Sequence, residues 1–370
     1  MAEALKNHFG ADVPAAIAVM VCAVHADFPA AAFVSDALSG YAELELMPRG
    51  RHIARALHRH LPAHYPSAVN ILVASTQRDN QRAVPSGMGG FLFMPHCFFV
   101  AEYGLDDFEP SMRALYVLTQ HFTAEFAIRP FLVQHARATL ERLAEWAHDP
   151  NDHVRRLVSE GTRPRLPWAP RLPAFQADPS PVLALLELLR DDPSLYVSRS
   201  VANNLNDIGK DHPKLLAEVA RRWMVDAPAP RQWVVRHALR WAVKSGDPAA
   251  LQVLGFGKPA RVEVSEVAIT PARVSIGASL CVRFALRNRL SRPQDLRVDL
   301  LVHYVKANGS PSAKVFKLKT LRLEPRATVQ LQKNLSLAEM TTRKHYPGAH
   351  AVDVLVNGKP LPLGSFDLLG

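Results

Sequence analysis

The spacing of apolar residues changes once along this chain, around Gly255-Phe-Gly-Lys-Pro259, and that change constrains the fold more than any other feature. Before it, apolar positions recur every three or four residues, as on one face of an α-helix. After it they alternate, as on one face of a β-strand. Leu280, Val282, Phe284 and Leu286 interleave with Cys281, Arg283, Ala285 and Arg287. Leu296, Val298, Leu300, Val302 and Tyr304 interleave with Arg297, Asp299 and His303, and Phe316 and Leu318 with Lys317 and Lys319. Two periods in 370 residues imply two domains, a helical one over residues 1–257 and a β domain over 258–370.

In the front domain, Leu132, Ala136, Leu140, Leu143 and Ala147 form a stripe at spacings of four and three, which predicts one helix. Asp149-Pro150, Asp192-Pro193, Asp226 before Pro228 and Asp247-Pro248 punctuate the helices. Aligning the punctuated units exposes a Val-x-Arg pattern at Val154, Val197 and Val234, with spacings of 43 and 37. Paired helices recurring at that length are the signature of HEAT or armadillo arrays, whose units bury their apolar faces only by stacking. The expected fold class is therefore mainly α, a HEAT-like solenoid followed by an antiparallel β-sandwich. Asn308-Gly309 and Asn357-Gly358 are hairpin turns, and about seven short strands are expected. Tyr346 is placed like a tyrosine corner. With no Cys…Trp…Cys pattern, "immunoglobulin-like" describes architecture alone.

Charge is divided unevenly. Residues 258–370 hold 18 basic and 8 acidic side chains and carry the whole net charge of +10, while residues 1–257 hold 26 of each. A polyanionic partner, nucleic acid above all, fits that balance; a solvated surface kept soluble by charge is the plainer alternative. The run Ala15–Val24 is too short to span a membrane and the N-terminus has no signal-peptide pattern, so a cytoplasmic protein without a membrane partner is expected. Cys22, Cys97 and Cys281 are far apart, which argues against disulfides and against a cysteine-built metal site. His52, His58, His60 and His64 read as surface groups, His96-Cys97 as core, and Gly87-Met-Gly-Gly90 as a turn lacking the ending of a phosphate loop.

The second helix of each unit carries basic residues in phase. Arg156, Glu160 and Arg163 share a face in the first. Arg199, Asn203, Asn206 and Lys210 do so in the next, beside Asp207, and Arg236, Arg240 and Lys244 in the third. Stacking would align them into a phosphate-binding track, although Arg156 with Glu160 at i,i+4 also suits an ordinary ion pair. Gly161–Pro173 contains prolines at 164, 167, 170 and 173, so it forms a long extended loop carrying Arg163, Arg165, Trp168 and Arg171. Trp168 either serves this surface or plugs a groove between helices. Glu125, Glu160 and Asp207 are each expected on a different helix. Carboxylates in a phosphate-binding surface weaken binding unless they act on something cationic, yet Glu125 with Arg129 at i,i+4 is also a plausible ion pair.

Leu5-Lys-Asn-His-Phe9, Leu44–Arg51, Phe122–Phe131, Val154–Trp168 and Ser200–Asp207 make residues 1–255 resemble the AlkC branch of the HEAT-like-repeat DNA alkylation repair glycosylases. The tail resembles the immunoglobulin-like domain of some members. The resemblance implies hydrolysis of the N-glycosidic bond of cationic alkylated bases in double-stranded DNA. Its candidate lesions are 3-methylcytosine and 3-methyladenine, with 1-methyladenine as a third. It implies no base flipping into a pocket, no cofactor or metal, simple hydrolysis rather than lyase chemistry, and a monomer. By resemblance Glu125, Glu160 and Asp207 form the carboxylate set, Trp168 the aromatic contact, and Arg156, Arg163, Arg199, Arg236 and Arg240 the phosphate contacts. Arg165, Lys210 and Lys244 extend that basic surface. Asp207 and Glu125 rank above Glu160, which has the nearest arginines in sequence. The rival class is a non-catalytic HEAT scaffold that binds DNA or a protein.

Overall fold

The computed structural model describes residues 5–76, 89–339 and 344–370. Sixteen α-helices lie among the described residues, followed by eight strands. Residues Gly87 and Met88 of the glycine-rich turn lie outside them.

Two of the helices begin at side-chain caps that their sequence supplies. Asn151 Oδ1 accepts from His153 N at 2.9 Å to start the Asp152–Gly161 helix, and Asp247 accepts from Ala250 N at 2.7 Å to start Pro248–Val253. Val154, Val197 and Val234 are all buried, so the Val-x-Arg pattern marks the inward face of the Asp152–Gly161, Leu195–Asp211 and Ala229–Ala238 helices. Each such valine contributes about 2 kcal/mol of apolar burial.

Two stripes are divided. The Leu132–Ala147 stripe spans two helices, Ile128–Gln134 and Ala136–Trp146, because His135 leaves the helical conformation (φ −124°, ψ 45°). Thr139 Oγ1 donates to the carbonyls of Phe131 and His135 across that break, and Thr139, Leu143 and Trp146 face inward in place of Ala136. Arg236 likewise sits on Ala229–Ala238 while Arg240 and Lys244 sit on a separate short helix, Arg240–Lys244.

The chain gathers into two compact units, Met1–Asp211 and His212–Gly370. Strands begin near the expected 257/258 boundary, but the helices after His212 group with the sandwich. In that second unit the Asn357-Gly358 turn lies directly against the helices. A Cβ at Gly358 would stand 2.5 Å from Leu251 Cδ1 and 3.2 Å from the Gly246 carbonyl, and its φ of +78° also calls for glycine.

The strands are β1 (Val262–Thr270), β2 (Arg273–Ser275), β3 (Ser279–Asn288), β4 (Gln294–Val305), β5 (Pro311–Leu323), β6 (Thr328–Ser336), β7 (Gly348–Val356) and β8 (Lys359–Leu369). They form a three-stranded sheet, β1-β3-β6, and a five-stranded sheet, β2-β8-β7-β4-β5. All pairs are antiparallel except the short parallel pair β2–β8. Leu280, Val282, Phe284 and Leu286 meet Leu296, Val298, Leu300 and Val302 in one core, while Arg283, Arg287, Lys317 and Lys319 face solvent. Tyr346 does not act as a tyrosine corner: among the described residues its hydroxyl makes no hydrogen bond. Its carbonyl is instead 3.1 Å from His350 Nε2, and that buried ring stacks on Phe366. No helix among the described residues is long and apolar enough to cross a membrane.

Candidate functional site

The Asp152–Gly161 and Leu195–Asp211 helices are fastened by Asn204, whose Nδ2 donates to the Ser159 carbonyl at 2.7 Å and to Thr162 Oγ1 at 3.1 Å. This register puts Ser200 against Glu160 and Asp207 against Arg163. Ser200 Oγ donates to Glu160 Oε2 at 2.6 Å, and Arg163 Nη1 to Glu160 Oε1 at 2.6 Å. Arg163 Nε and Nη2 both reach Asp207 Oδ2 at 2.8 Å, and Lys210 Nζ meets Asp207 Oδ1 at 2.9 Å.

Glu125 is not on a helix. It occupies a turn, closed by Ala127 N to Ala124 O, that leads into Ile128–Gln134. Gly161 lets the neighbouring helix approach this turn: a Cβ there would lie 2.5 Å from Ile128 Cγ2 and 3.9 Å from the Glu125 carbonyl. Glu125 Oε2 accepts from Thr123 Oγ1 at 2.7 Å and from Arg156 Nη1 at 2.8 Å. Arg156 stacks over Tyr196 at 4.7 Å and stands 3.6 Å from Glu160.

The three acids therefore come together although they are 35 and 47 residues apart in sequence. They are not equivalent. Glu160 and Asp207 have both oxygens engaged, whereas Glu125 Oε1 makes no hydrogen bond among the described residues. Asp207, at 1% exposure, is the most deeply enclosed. The sequence-based ranking rests on Glu160 having the nearest arginines; in the fold each of the three acids pairs with an arginine, so arginine proximity does not set Glu160 apart.

Glu125 and Glu160 line a cleft of about 340 Å³ together with Arg163, Thr123, Trp168 and an apolar wall that includes Met47, Phe91, Phe122 and Phe126. Asp207 lies outside that lining. Trp168 does not plug a groove: it is 68% exposed and stands at the tip of the loop with φ +64°, a left-handed conformation that costs a non-glycine residue of order 1 kcal/mol. The loop runs over residues 162–172, with Gly161 closing the helix before it and Pro173 opening the helix after it. Leu166 and Leu172 anchor it in the core.

The basic residues divide into two groups. Arg156 and Arg163 do not display their charge to solvent; both are spent on the acids. Burial works to lower the Arg163 pKa, but Glu160 and Asp207 raise it above the ordinary arginine value; Glu125 and Glu160 do the same for Arg156. Arg165 is clamped by both oxygens of Asp211. Arg199, Arg236, Arg240 and Lys244 are exposed, Arg236 holding Gln232 Oε1 at 2.8 Å. Arg129 does not pair with Glu125; it turns to backbone carbonyls of the Trp168 loop.

Sequence reasoning missed Thr123, Ser200 and the aromatic wall as parts of this site. Thr123, two residues before Glu125, was detectable as a local partner; the wall was not, because its members come from three separate segments. Among the described residues no group of three or more His, Cys, Asp or Glu is placed to hold a metal ion.

Residues 121–242 match the family described as DNA alkylation repair enzyme, and residues 263–370 match the C-terminal Ig-like domain of the uncharacterised protein YhaZ. The YhaZ protein of Bacillus subtilis (strain 168) is 40% identical over 322 residues, 87% of each chain. The alkylpurine DNA glycosylase AlkC of Pseudomonas fluorescens, in a structure bound to DNA containing an abasic site analog, is 41% identical over the full length of both chains with a TM-score of 0.93. The chain belongs to the DNA alkylation repair enzyme family, in the AlkC-like branch that ends in an Ig-like domain.

Proposed function

We propose that this protein is a DNA glycosylase that hydrolyses the N-glycosidic bond of cationic alkylated bases, 3-methyladenine and 3-methylcytosine first and 1-methyladenine third. One observation carries the reading: Glu125, with an unengaged Oε1, shares a cleft with Glu160 and the exposed indole of Trp168. The alkylpurine DNA glycosylase activity named for the Pseudomonas fluorescens relative supports carrying the reaction class to this chain.

The chemistry suits the groups present. Methylation at these ring nitrogens makes the base cationic and a good leaving group, so no general acid is required. Departure builds oxocarbenium character on the sugar, a cation that a carboxylate stabilises. Glu125 Oε1 is the oxygen available to that cation or to the attacking water. Arg156 and Thr123 hold its other oxygen, fixing the carboxylate before substrate arrives. Glu160, oriented by Ser200 and Arg163, adds a second negative charge to the same cleft. Trp168 offers a π face to the cationic sugar or base. Asp207 supports the set through Arg163. Lys210 is held on Asp207 as a counter-ion, which suits hydrolysis without an amine intermediate.

The cleft opens past an exposed indole, which fits reading the lesion without drawing it into an enclosed pocket. Double-stranded DNA is the partner, met by the exposed Arg199, Arg236, Arg240 and Lys244 and by the basic sandwich, with the protein acting as a cytoplasmic monomer. Release of free base from DNA carrying 3-methyladenine or 3-methylcytosine, under single-turnover conditions, tests the reading. Release by the native protein and its loss in Glu125→Gln support it. Intact DNA binding without release from either lesion overturns it in favour of a non-catalytic DNA-binding scaffold.

A further inference from the structure

Arg129 is 4% exposed and has no carboxylate within ion-pair distance among the described residues. Its Nη1 donates to the carbonyls of Gly161 at 3.0 Å and Arg163 at 2.8 Å, and its Nη2 to that of Pro170 at 2.5 Å. Nε is enclosed and makes no hydrogen bond among the described residues. Burial, with Arg163 nearby, brings its pKa down to about 10. Its hydrogen bonds all go to neutral carbonyls, and the more distant Glu125 and Asp207 carboxylates offset its burial only in part, so keeping this cation buried is costly.

The three carbonyls have a specific placement. Gly161 and Arg163 stand at the start of the loop, Pro170 near its end, and Trp168 between them. Arg129 itself stands in the first turn of Ile128–Gln134, directly after the turn that carries Glu125. One planar guanidinium therefore closes the loop at both ends and ties it to the segment bearing the acid. A lysine, with a single ammonium centre, cannot reproduce that fork.

We propose that Arg129 is a positioning residue: it staples the Trp168 loop and sets the spacing between Trp168 and Glu125 across the cleft. Its bearing on catalysis rests on the glycosylase reading above; its bearing on loop geometry does not.

The test uses the full-length protein labelled with 5-fluorotryptophan, the Trp168 resonance being assigned by Trp168→Phe. Native protein, Arg129→Lys and Arg129→Met are compared by ¹⁹F NMR, by single-turnover base release at saturating protein, and by DNA affinity. In folded variants the Trp168 line is expected to shift and narrow toward that of free indole while the other tryptophan lines stay in place. The single-turnover rate constant should fall at least tenfold, with DNA affinity changed less than threefold and no rescue by lysine. An unchanged Trp168 line in either folded variant overturns the staple. Should neither variant fold, the native spectrum decides: a Trp168 line already as narrow as free indole overturns it, and a broad, dispersed one supports it. If the native protein releases no base, the glycosylase reading fails while the NMR comparison still judges the staple.

Discussion

Asp207→Asn separates two roles for the most enclosed acid of the site. Asp207 is 1% exposed and receives two guanidinium contacts from Arg163 at 2.8 Å and one ammonium contact from Lys210 at 2.9 Å. Breaking a buried pair by neutralising one member costs about 3–5 kcal/mol, chiefly because the other charge is left buried and under-compensated. Two facts place this case at the low end. Asparagine keeps one oxygen to accept from Arg163, and Lys210, whose side chain is 32% exposed, can turn to water. The expected loss is about 3 kcal/mol, which in a unit of this size lowers the calorimetric midpoint by roughly 6–12 °C. Arg163→Met should cost a similar amount, since it leaves Glu160 and Asp207 short of their shared cation. Once one partner is gone, removing the other relieves an uncompensated charge. The double variant should therefore cost at least about 1 kcal/mol less than the sum of the two singles. Calorimetry on the native protein and the three variants measures this coupling. Additive costs within about 0.5 kcal/mol would refute the ion-pair account. Base release measured alongside distinguishes the roles: if Asp207→Asn abolished release without any loss of stability, Asp207 would act on the substrate itself and not through Arg163.

Other substitutions probe the site and its surroundings. Glu125→Gln keeps the oxygen that accepts from Arg156 but removes its charge, so it should lower stability, though by less than Asp207→Asn because Glu160 still stands 3.6 Å from Arg156. It should also slow single-turnover release by about 10²–10³-fold; a loss below tenfold would remove Glu125 from its leading place. Trp168→Gly should raise stability by roughly 1 kcal/mol in urea titrations, because φ +64° is unstrained for glycine, while slowing release; unchanged release would leave the indole without a role. Replacing the solvent-facing Arg283 and Arg287 with glutamine should weaken DNA binding and reduce the slope of log affinity against log salt by roughly 0.9 per lost phosphate contact. An unchanged slope would take the three-stranded sheet out of the DNA interface. Buried His96 has its pKa pushed down to about 4 by desolvation, with a smaller contribution from His121. Its unfolded form binds a proton below about pH 6.5 while its folded form does not. Stability should therefore fall from pH 6.5 toward pH 4, by up to about 3 kcal/mol from this group, and His96→Gln should remove that part of the slope.

Periodicity was a sound guide where packing follows from local geometry. Val154, Val197 and Val234 face inward because a helix with one apolar stripe can bury only that stripe, and Leu280 to Leu286 do so because strand neighbours point to opposite faces. The same reasoning failed at His135, where a threonine hydroxyl bonding back to two carbonyls accompanies a break that hydrophobic spacing does not register. It also placed Tyr346 as a corner residue, a position whose hydrogen bonding depends on His350 of β7.

What the amino-acid sequence determined by itself is the change from helix to strand near residue 257, the concentration of positive charge after it, and the proline-rich loop that presents Trp168. Those properties depend on residues close along the chain. Which cation meets which acid was decided only by tertiary structure. Arg156 reaches back 31 residues to Glu125, Arg163 reaches forward 44 to Asp207, and Arg129 crosses 41 to Pro170. Contacts of that range depend on the register in which helices pack. Here that register turned two arginines expected to hold phosphate into counter-ions of the carboxylates, and left Glu125 Oε1 without a hydrogen bond among the described residues.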